Sequence, residues 1–351
     1  MPGAPGTPRS CCEGRSGSSR TRDSALVTLA LAGDTMLGRK VAERLASVPP
    51  DALWSRELAA LTTSCDAFAL NLECCISDRG QPWEDPRKPF FFRAPPSAVE
   101  GLTAIGVDAV TLANNHALDY GPLALTDTCA LLDGAGIAYS GAGAHLEAAR
   151  TPVILEAGGL RIAVIGVADH PRDFAAAPER PGIAFTDLRR GVPFWLTDLI
   201  GDARRDSDIV VVMPHWGPNM VSGPVAHVRW SAPHLLDAGA DVVAGHSAHV
   251  FHGVEAREGG AVIYDLGDFI DDYATHPTLR NDLGLLWLLE VDEGGVRGLE
   301  AVPLALEYCF TRLADGAEAD WIAERLRASC AAMGTRVDRR GERLVVEVDP
   351  A

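Results

Sequence analysis

Positive charge is scarce in this sequence. Its 351 residues include 31 Lys and Arg against 48 Asp and Glu, which gives a formal net charge of -17 at pH 7. Nucleic acids and anionic membranes attract basic proteins, because the phosphate groups on both are negatively charged. The charge balance therefore argues against nucleic acid and anionic membrane surfaces as partners.

Long apolar runs are also absent from the sequence. No run approaches the ~18 apolar residues that a transmembrane helix requires, so we expect no membrane anchor. Residues 1–23 are rich in Gly, Ser, Pro and Arg and lack the apolar core of a secretory signal peptide. They are predicted to be a disordered tail, or residues added by a start codon assigned too far upstream.

Paired cysteine motifs are missing too. None of the eight cysteines belongs to a C-x-x-C pair, which argues against a structural zinc site or a disulfide framework. We therefore expect a cytoplasmic protein with free thiols. The hydrophobic fraction of 47% is normal for a globular protein with a sizeable core. Because no linker rich in Pro, Gly or Ser divides residues 25–350, we predict one domain over residues 24–351.

What the sequence does have is a series of short apolar segments, each followed by polar side chains. These pairs are residues 25–33 before Asp34, 66–72 before Glu73, 107–113 before Asn115 and His116, 208–213 before His215, and 241–245 before His246, His249 and His252. Apolar runs of this kind are typical of buried parallel strands, and open α/β sheets bind ligands at the carboxyl ends of such strands. We therefore predict an α/β protein with these side chains at one edge of one sheet.

Each polar residue has an ordinary structural explanation when it is taken alone. Asp34 could cap the helix that follows it, Asn115 could lie in a turn, and a histidine could be packed in the core. Ligand-type side chains after five strands are improbable as an accident. Two carboxylates, an amide and several imidazoles, without thiolates, suit divalent ions such as Zn, Mn, Fe or Co. We predict one or two such ions, which a shared carboxylate would hold ~3.5–4 Å apart.

Six motifs also occur in a fixed order along the chain. They are Gly33-Asp34-x-Met36-Leu37-x-Arg39, Asn71-Leu72-Glu73, Ala113-Asn114-Asn115-His116-x-x-Asp119-Tyr120-Gly121, His215-Trp216-Gly217, Gly245-His246-x-x-His249-Val250 and Leu266-Gly267-Asp268-Phe269. This series resembles the CapA family, the poly-γ-glutamate synthesis accessory proteins of the calcineurin-like metallophosphoesterase superfamily, over roughly residues 26–310. The resemblance implies a calcineurin-like fold: a β-sandwich flanked by helices, with the metal site at the carboxyl ends of strands.

The resemblance also implies roles for individual residues. The metal-ligand candidates are Asp34, Glu73, Asn115, His215, His246 and His249, with Glu73 as the bridge between two ions. His116 corresponds to the histidine that assists catalysis in the superfamily. Met36 stands where the superfamily has a histidine ligand, and a thioether is a poor ligand for hard ions. Ser247 and Asp268 stand where the CapA pattern has His and Asn. We therefore expect one metal position to bind more weakly than the other.

Three functions are compatible with such a site. The first is an enzyme that acts on a peptide- or glutamate-type carboxylate, with Arg39 and Arg93 holding an anionic group. Lys88 is interpreted as part of the solvated surface. The second function is phosphoester hydrolysis, in which His116 protonates the leaving oxygen. The third is a non-catalytic accessory role in poly-γ-glutamate or capsule synthesis.

A variant of the first function follows from the same resemblance. Peptide epimerases of lasso-peptide pathways share the CapA-like fold, which implies that loss and return of a Cα proton beside a metal-bound carboxylate is a further possibility. The candidate acid–base groups are His116 and His252, or an aspartate such as Asp268.

Overall fold

The structure, a computed structural model, describes residues 26–257 and 259–348. The predicted disordered tail, residues 1–23, lies outside the described residues. The strands are β1 Val27–Thr35, β2 Ala67–Leu72, β3 Cys75–Ile76, β4 Arg93–Ala94, β5 Ala109–Thr111, β6 Ala138–Ser140, β7 Ala142–Gly143, β8 Val153–Ala157, β9 Leu160–Ala168, β10 Gly182–Ile183, β11 Ile209–His215, β12 Val242–Ala244, β13 Val254–Arg257, β14 Gly260–Ile263, β15 Asp268–Ile270, β16 Leu283–Asp292, β17 Gly295–Glu307, β18 Phe310–Leu313, β19 Val337–Arg340 and β20 Arg343–Val346. The α-helices are α1 Arg39–Leu45, α2 Arg56–Thr63, α3 Ala98–Thr103, α4 Gly121–Ala135, α5 Leu146–Arg150, α6 Phe194–Asp206, α7 Ala226–Asp237 and α8 Gly316–Ala331. Short 3-10 helices cover Pro50–Leu53, Arg172–Phe174 and Leu188–Arg190.

Two large sheets are built from these strands. The ten-stranded sheet has the order β19-β20-β17-β16-β1-β2-β5-β6, with β15 beside β1 and β18 beside β17. Its strands β1, β2, β5 and β6 are parallel, and β16 runs antiparallel to β1. The six-stranded sheet has the order β13-β14-β12-β11-β9-β8, with a parallel centre and antiparallel edge strands. Each sheet therefore presents parallel strand ends to a potential site.

The two sheets pack face to face over one apolar core. Because side chains alternate along a strand, one set of residues from each sheet points into this core: Leu29, Leu31, Leu285, Trp287 and Leu289 from the first, and Ile162, Val164, Val211 and Met213 from the second. Complete burial of such a side chain contributes roughly 1.5–3 kcal/mol. Helix α8 adds Ile322 and Leu326 to the same core. The sheets are thus held together by the hydrophobic effect.

Helices cover the two outer faces of this sandwich. On the first sheet, the alternate residues Ala30 and Leu286 pack with Val41 of α1 and Leu58 of α2. On the second sheet, Val210 and Val212 pack with residues of α6 and α7 such as Leu196 and Leu235. The β-sandwich flanked by helices, which the resemblance implied, is confirmed.

The prediction that all the site side chains lie at one edge of one sheet was wrong. The strands that precede the predicted site residues are β1, β2 and β5 in the first sheet, and β11 and β12 in the second. A buried parallel strand has the same apolar pattern in either sheet, so the local sequence does not assign a strand to a sheet.

The single domain over residues 24–351 stays a prediction. Among the described residues, no helix is both long and apolar enough to span a bilayer.

Candidate metal centre

The first carboxylate of the site lies at the end of β1, in contact with β15. The backbone N–H of Asp34 donates to the carbonyl oxygen of Gly267 at 2.9 Å. A Cβ atom at Gly33 would lie 1.9 Å from that oxygen, so only glycine permits this approach. The pairing of β15 with β1 sets Asp268 opposite Asp34. Helix α1 has Gly38 at its N-cap, so Asp34 does not cap that helix.

Two amides hold the carboxylates of Asp34 and Glu73 in place. The side-chain nitrogen of Asn71 donates to Asp34 Oδ1 at 2.7 Å and to Glu73 Oε2 at 3.1 Å. Asn114 donates in turn to Asn71 Oδ1 at 2.9 Å and to the carbonyl oxygen of Leu72 at 2.8 Å. Both asparagines are completely buried. Asn71 and Asn114 are therefore positioning residues, and the network leaves Glu73 Oε1 available for a cation.

The imidazoles of His215 and His246 come from adjacent strands of the second sheet. Their Nδ1 atoms lie 2.8 Å apart, and His246 Nδ1 lies 3.5 Å from Asp34 Oδ1. Gly245 makes this possible, because a Cβ atom there would lie 2.3 Å from the indole nitrogen of Trp216. Side chains from both sheets therefore converge on Asp34.

His249 reaches Asp34 through a turn with a strained backbone. The φ angles of Ser247 and His249 are 115° and 59°, in the left-handed region that costs energy for residues other than glycine. In this turn the backbone N–H of Ser247 donates to Asp34 Oδ2 at 3.2 Å. His249 Nδ1 lies 3.1 Å from the same oxygen and 2.9 Å from Asp268 Oδ1. The strain is thus located where it positions an imidazole between two carboxylates.

These side chains form two groups with the geometry of metal-binding clusters. One group is Asp34, His215 and His246, and the other is Asp34, Glu73 and His249. Within each group the ligand atoms lie within 4.8 Å of one another, and all the residues are buried. Asp34 is common to both groups, whereas the resemblance implied Glu73 as the shared carboxylate. A shared carboxylate is the arrangement that two-metal sites use.

The buried atoms that lack hydrogen-bond partners match the donors that divalent ions prefer. Among the described residues they include Nε2 of His215, His246 and His249, Glu73 Oε1 and Asn115 Oδ1. Leaving such atoms without a partner costs free energy, and a bound cation would offset that cost. Nitrogen and oxygen donors without thiolates suit Zn, Mn, Fe or Co. The residues present therefore fit one or two divalent ions of this class.

Burial sets the charges of these groups. It lowers the pKa of His246 to about 4 and the pKa of His215 well below its usual value, so both imidazoles are in the neutral form that binds metal. Burial raises the pKa of Glu73 well above its usual value, and the charge of Asp34 raises it further. Burial also opposes ionisation of Asp34, but the hydrogen bond with His249 holds the pKa of Asp34 well below its usual value. A divalent cation would favour the ionised form of Glu73, so metal binding would release protons.

His116 lies beside the clusters, and Asp119 fixes the orientation of its ring. His116 Nδ1 is 2.6 Å from Asp119 Oδ2, and His116 Nε2 is 3.8 Å from Glu73 Oε1. The ring of Phe92 packs edge-on against the imidazole, with 4.4 Å between centroids. Burial lowers the pKa of His116, although Asp119 acts to raise it. A neutral imidazole oriented by a carboxylate has the geometry of a general acid–base group.

A cavity of about 630 Å³ adjoins the clusters. Asn115, His116 and His249 line one part of it, and Arg39 lines another. The Nε atom of Arg39 lies 3.2 Å from Asp272 Oδ2. One terminal nitrogen of the same guanidinium, Nη1, is buried without a hydrogen-bond partner among the described residues. Arg39 is therefore placed to hold one anionic group of a ligand.

The interpretation of Lys88 as solvated surface was wrong. Its side chain is only 13% exposed, and its Nζ atom lies 2.8 Å from Asp119 Oδ1. The same ammonium donates to the carbonyl oxygen of Asn115 at 2.8 Å. Lys88 lies in a loop without periodicity, so no local pattern could place it against the site. Its contacts make it a second support for the Asp119–His116 pair.

Three of the predicted catalytic or substrate-binding residues do not line the cavity. Arg93 stacks over Tyr120, with 4.1 Å from the guanidinium carbon to the ring centroid, and borders a separate depression that it shares with Arg39. His252 donates from Nε2 to the carbonyl oxygen of Val221 at 2.9 Å, away from the cavity. Asp268 contacts His249, which lines the cavity, but is not itself part of the lining. The structure therefore does not bring Arg93 or His252 into the cavity with the clusters, and their predicted roles stay predictions.

Asp169 and His170 belong to the cavity region and were missed in the sequence. His170 lines the cavity, and its ring centroid lies 5.0 Å from that of His215. The fully buried carboxylate of Asp169 is hydrogen-bonded to His170 and lies 2.9 Å from His227 Nε2. These two residues directly follow β9. The pattern of a polar residue after an apolar strand, applied to this strand as to the others, would have found them.

A helix-flanked β-sandwich with carboxylate, amide and imidazole side chains at its strand ends is the architecture that the resemblance to calcineurin-like metallophosphoesterases implied. Within that class, the profile of the family described as "Bacterial capsule synthesis protein PGA_cap" matches residues 28–273. The chain belongs to this family, which confirms the resemblance to CapA proteins.

Three relatives illustrate the extent of the similarity. The "Probable polyglutamine synthesis accessory protein" of Mycobacterium tuberculosis is 33% identical over 374 residues, which cover 93% of this chain and 97% of the relative. The "PGA biosynthesis protein CapA" of Bacillus subtilis is 28% identical over 255 residues, covering 72% and 65%. The "Capsule biosynthesis protein CapA" of Bacillus anthracis is 27% identical over 293 residues, covering 82% and 69%. Similarity to the mycobacterial protein thus covers more of the chain than the family profile does.

Proposed function

We propose that this protein is a metal-dependent enzyme that acts on a peptide- or polyglutamate-type substrate through a carboxylate of that substrate. The observation that carries the proposal is the pair of clusters sharing Asp34, which adjoin a cavity that also contains the guanidinium of Arg39. A protein that only served as a scaffold would have no need to bury this many ligand-type atoms without partners.

Each group of site residues has its own role in this proposal. Asp34, Glu73, Asn115, His215, His246 and His249 would hold one or two divalent ions. Bound metal would supply positive charge that stabilises negative charge developing on the substrate. Arg39, whose side chain lines the cavity, binds an anionic group of the substrate. His116, oriented by Asp119, accepts or donates a proton at Nε2.

The more specific form of this proposal is epimerisation of a peptide residue. The Cα–H bond breaks, its proton goes to His116, and the electron pair is delocalised into the neighbouring carboxylate. A proton from a second acid, in exchange with solvent, then returns to the opposite face of Cα. The buried carboxylate clusters and the cation of Arg39 support binding of an ionised carboxylate next to His116.

We also propose that this activity takes place in the cytoplasm, because the cysteines among the described residues are free thiols.

Phosphoester hydrolysis is the second candidate, favoured by the carboxylate that both clusters share. Met36 is the observation against it. The side chain that replaces the superfamily's histidine is completely buried in the apolar core beneath the helices of the first sheet, so it supplies no ligand at all.

One experiment separates these functions. The metal-loaded protein is incubated in heavy water with peptides encoded beside its gene, and in parallel with an aryl phosphate. Epimerisation incorporates one deuterium at one Cα without cleavage, and EDTA stops the exchange. Phosphoester turnover without isotope exchange would overturn the carboxylate proposal in favour of the hydrolase. Metal binding without either reaction would favour an accessory role.

A further inference from the structure

We infer that the cavity selects a ligand with one anionic group attached to a bulky apolar body, and not a chain of many carboxylates. This inference rests on the proposed function, since it takes the anionic group to be the carboxylate held near the metal clusters. It adds the chemical class of the rest of the bound molecule, which neither the family nor the set of metal-binding side chains specifies.

Much of the remaining cavity wall is aromatic and apolar. Trp83 and Phe174 contact each other edge-on, with 4.8 Å between ring centroids. Tyr273, Pro171 and Met220 extend the apolar surface on the same cavity. Aromatic walls of this kind bind apolar and aromatic groups by burying their surface and by ring stacking. A volume of about 630 Å³ accommodates a group of amino-acid side-chain size together with its backbone.

Phe90 is an exposed part of the apolar lining of the cavity. Its side chain is 49% exposed, although large aromatic residues are usually buried. The guanidinium carbon of Arg39 lies 5.0 Å from the centroid of this ring and 5.3 Å from that of Phe92. An anion held by Arg39 would therefore lie close to an exposed aromatic face. This juxtaposition suits a ligand whose charge and apolar body are close together.

The cations of the cavity leave little capacity for a polyanion. Arg87 is paired with Asp85, with 3.2 Å between Nε and Oδ1, and Lys88 is paired with the buried Asp119 at 2.8 Å. Asp173 adds another negative charge to the lining. Arg39 is also paired, with 3.2 Å between its Nε atom and Asp272 Oδ2, but its Nη1 atom has no partner among the described residues. Since the whole chain carries a net charge of -17, its field would also repel a polycarboxylate.

Titration calorimetry on the full-length, metal-loaded protein tests the inference with three probes: N-acetylphenylalanine, N-acetylglycine and γ-linked triglutamate. We expect N-acetylphenylalanine to bind at least about tenfold more tightly than N-acetylglycine, because the phenyl ring buries apolar surface. We expect triglutamate to bind no more tightly than N-acetylglycine. The variants Phe90→Ala and Trp83→Ala should each reduce the preference for the phenyl group severalfold. Trp230→Ala removes a half-exposed tryptophan of α7 outside the cavity and should leave it unchanged.

The possible failures are distinguishable. If triglutamate binds most tightly, or if all three probes bind equally, the inference is overturned while the proposed function stands. If no probe shows metal-dependent binding, the proposed carboxylate function falls, and the inference falls with it. A preference for phenyl that survives both Phe90→Ala and Trp83→Ala would also overturn the inference, because these walls would then not produce it.

Discussion

The Oδ2 atom of Asp34 lies 3.1 Å from Nδ1 of His249. Asp34 lies near the carboxyl end of a strand of the ten-stranded sheet, whereas His249 follows a strand of the six-stranded sheet. The contact therefore joins the two halves of the sandwich at a single carboxylate. Any metal bound there would be held by side chains from both sheets, so metal content should respond to changes in either sheet.

The first prediction concerns the histidines of the second sheet. We expect His215→Ala and His246→Ala each to lower metal affinity by roughly 10–100-fold or more, since losing groups that hold or orient a metal has effects of this size. The fold should persist, because the apolar core between the sheets does not include these rings. Elemental analysis and circular dichroism of the purified variants provide the measurement. His234→Ala, on the exposed face of α7, is the matched control; unchanged metal content in the two test variants would refute the ligand assignment.

The second prediction is that the two metal positions bind their ions with different affinities. Because Met36 is buried in the apolar core in place of a ligand, one position should hold its ion less tightly. Stepwise dialysis against a weak chelator should remove one equivalent before the other. His249→Ala should abolish one of these steps and His215→Ala the other, since each belongs to a different cluster. Two equivalents that leave together in the unmodified protein would contradict this expectation.

The third prediction assigns proton transfer to His116. We expect His116→Ala to lower turnover of the substrate identified by the heavy-water or aryl phosphate assay by roughly 10²–10⁴-fold, the usual contribution of a general acid–base group. Bound metal should remain, because His116 is outside both clusters. Asp119→Asn should lower turnover to a smaller extent and displace the pH profile, because the amide no longer orients the imidazole as a carboxylate does. Loss of metal from His116→Ala would instead indicate that His116 is a metal ligand.

The fourth prediction compares two cations of the cavity loop by their contribution to stability. Lys88→Ala leaves the buried carboxylate of Asp119 without its ammonium partner, and we expect the free energy of unfolding to fall by on the order of 3 kcal/mol. Arg87→Ala breaks an ion pair whose arginine side chain is 85% exposed, and it should change the free energy of unfolding much less, because solvent screens such a pair. Urea denaturation of both variants makes the comparison. Equal effects would show that the Lys88 pair is as weak as a surface pair.

The fifth prediction treats His252 as a structural residue. Burial lowers the pKa of His252 to about 4, so the unfolded chain, with an ordinary histidine pKa of ~6.5, binds its proton first. Stability should therefore fall as the pH drops from about 6.5 to 4, by up to roughly 3 kcal/mol from this group. His252→Gln keeps a donor for the carbonyl oxygen of Val221 and should remove that part of the pH dependence without altering turnover. Denaturation at several pH values, together with the activity assay, checks both statements; a large loss of turnover would restore His252 to the catalytic residues.

Much of the candidate site was predictable from the sequence because its side chains follow a simple local rule. A buried parallel strand requires a continuous apolar run, and the polar residue after that run is delivered to the strand's carboxyl end. Asp34, Glu73, Asn115, His215 and His246 were all found in this way. The same rule, applied after β9, would have found Asp169 and His170. The spaced motifs added the family and the β-sandwich, both of which are confirmed.

Only the tertiary structure decided which strands share a sheet, which carboxylate both clusters share, and which loop residues line the cavity. The apolar pattern of a strand is the same in either sheet, so the position of Asp34 between two sheets depends on how the sheets pack. Lys88 and His252 lie in segments without periodicity, and Arg93 lies in the two-residue strand β4, so contacts with residues distant in the chain set the directions of their side chains. The sequence determined which side chains arrive at strand ends, because that depends on local burial. The packing of one sheet on the other determined which of them meet, because that depends on long-range contacts that no local pattern contains.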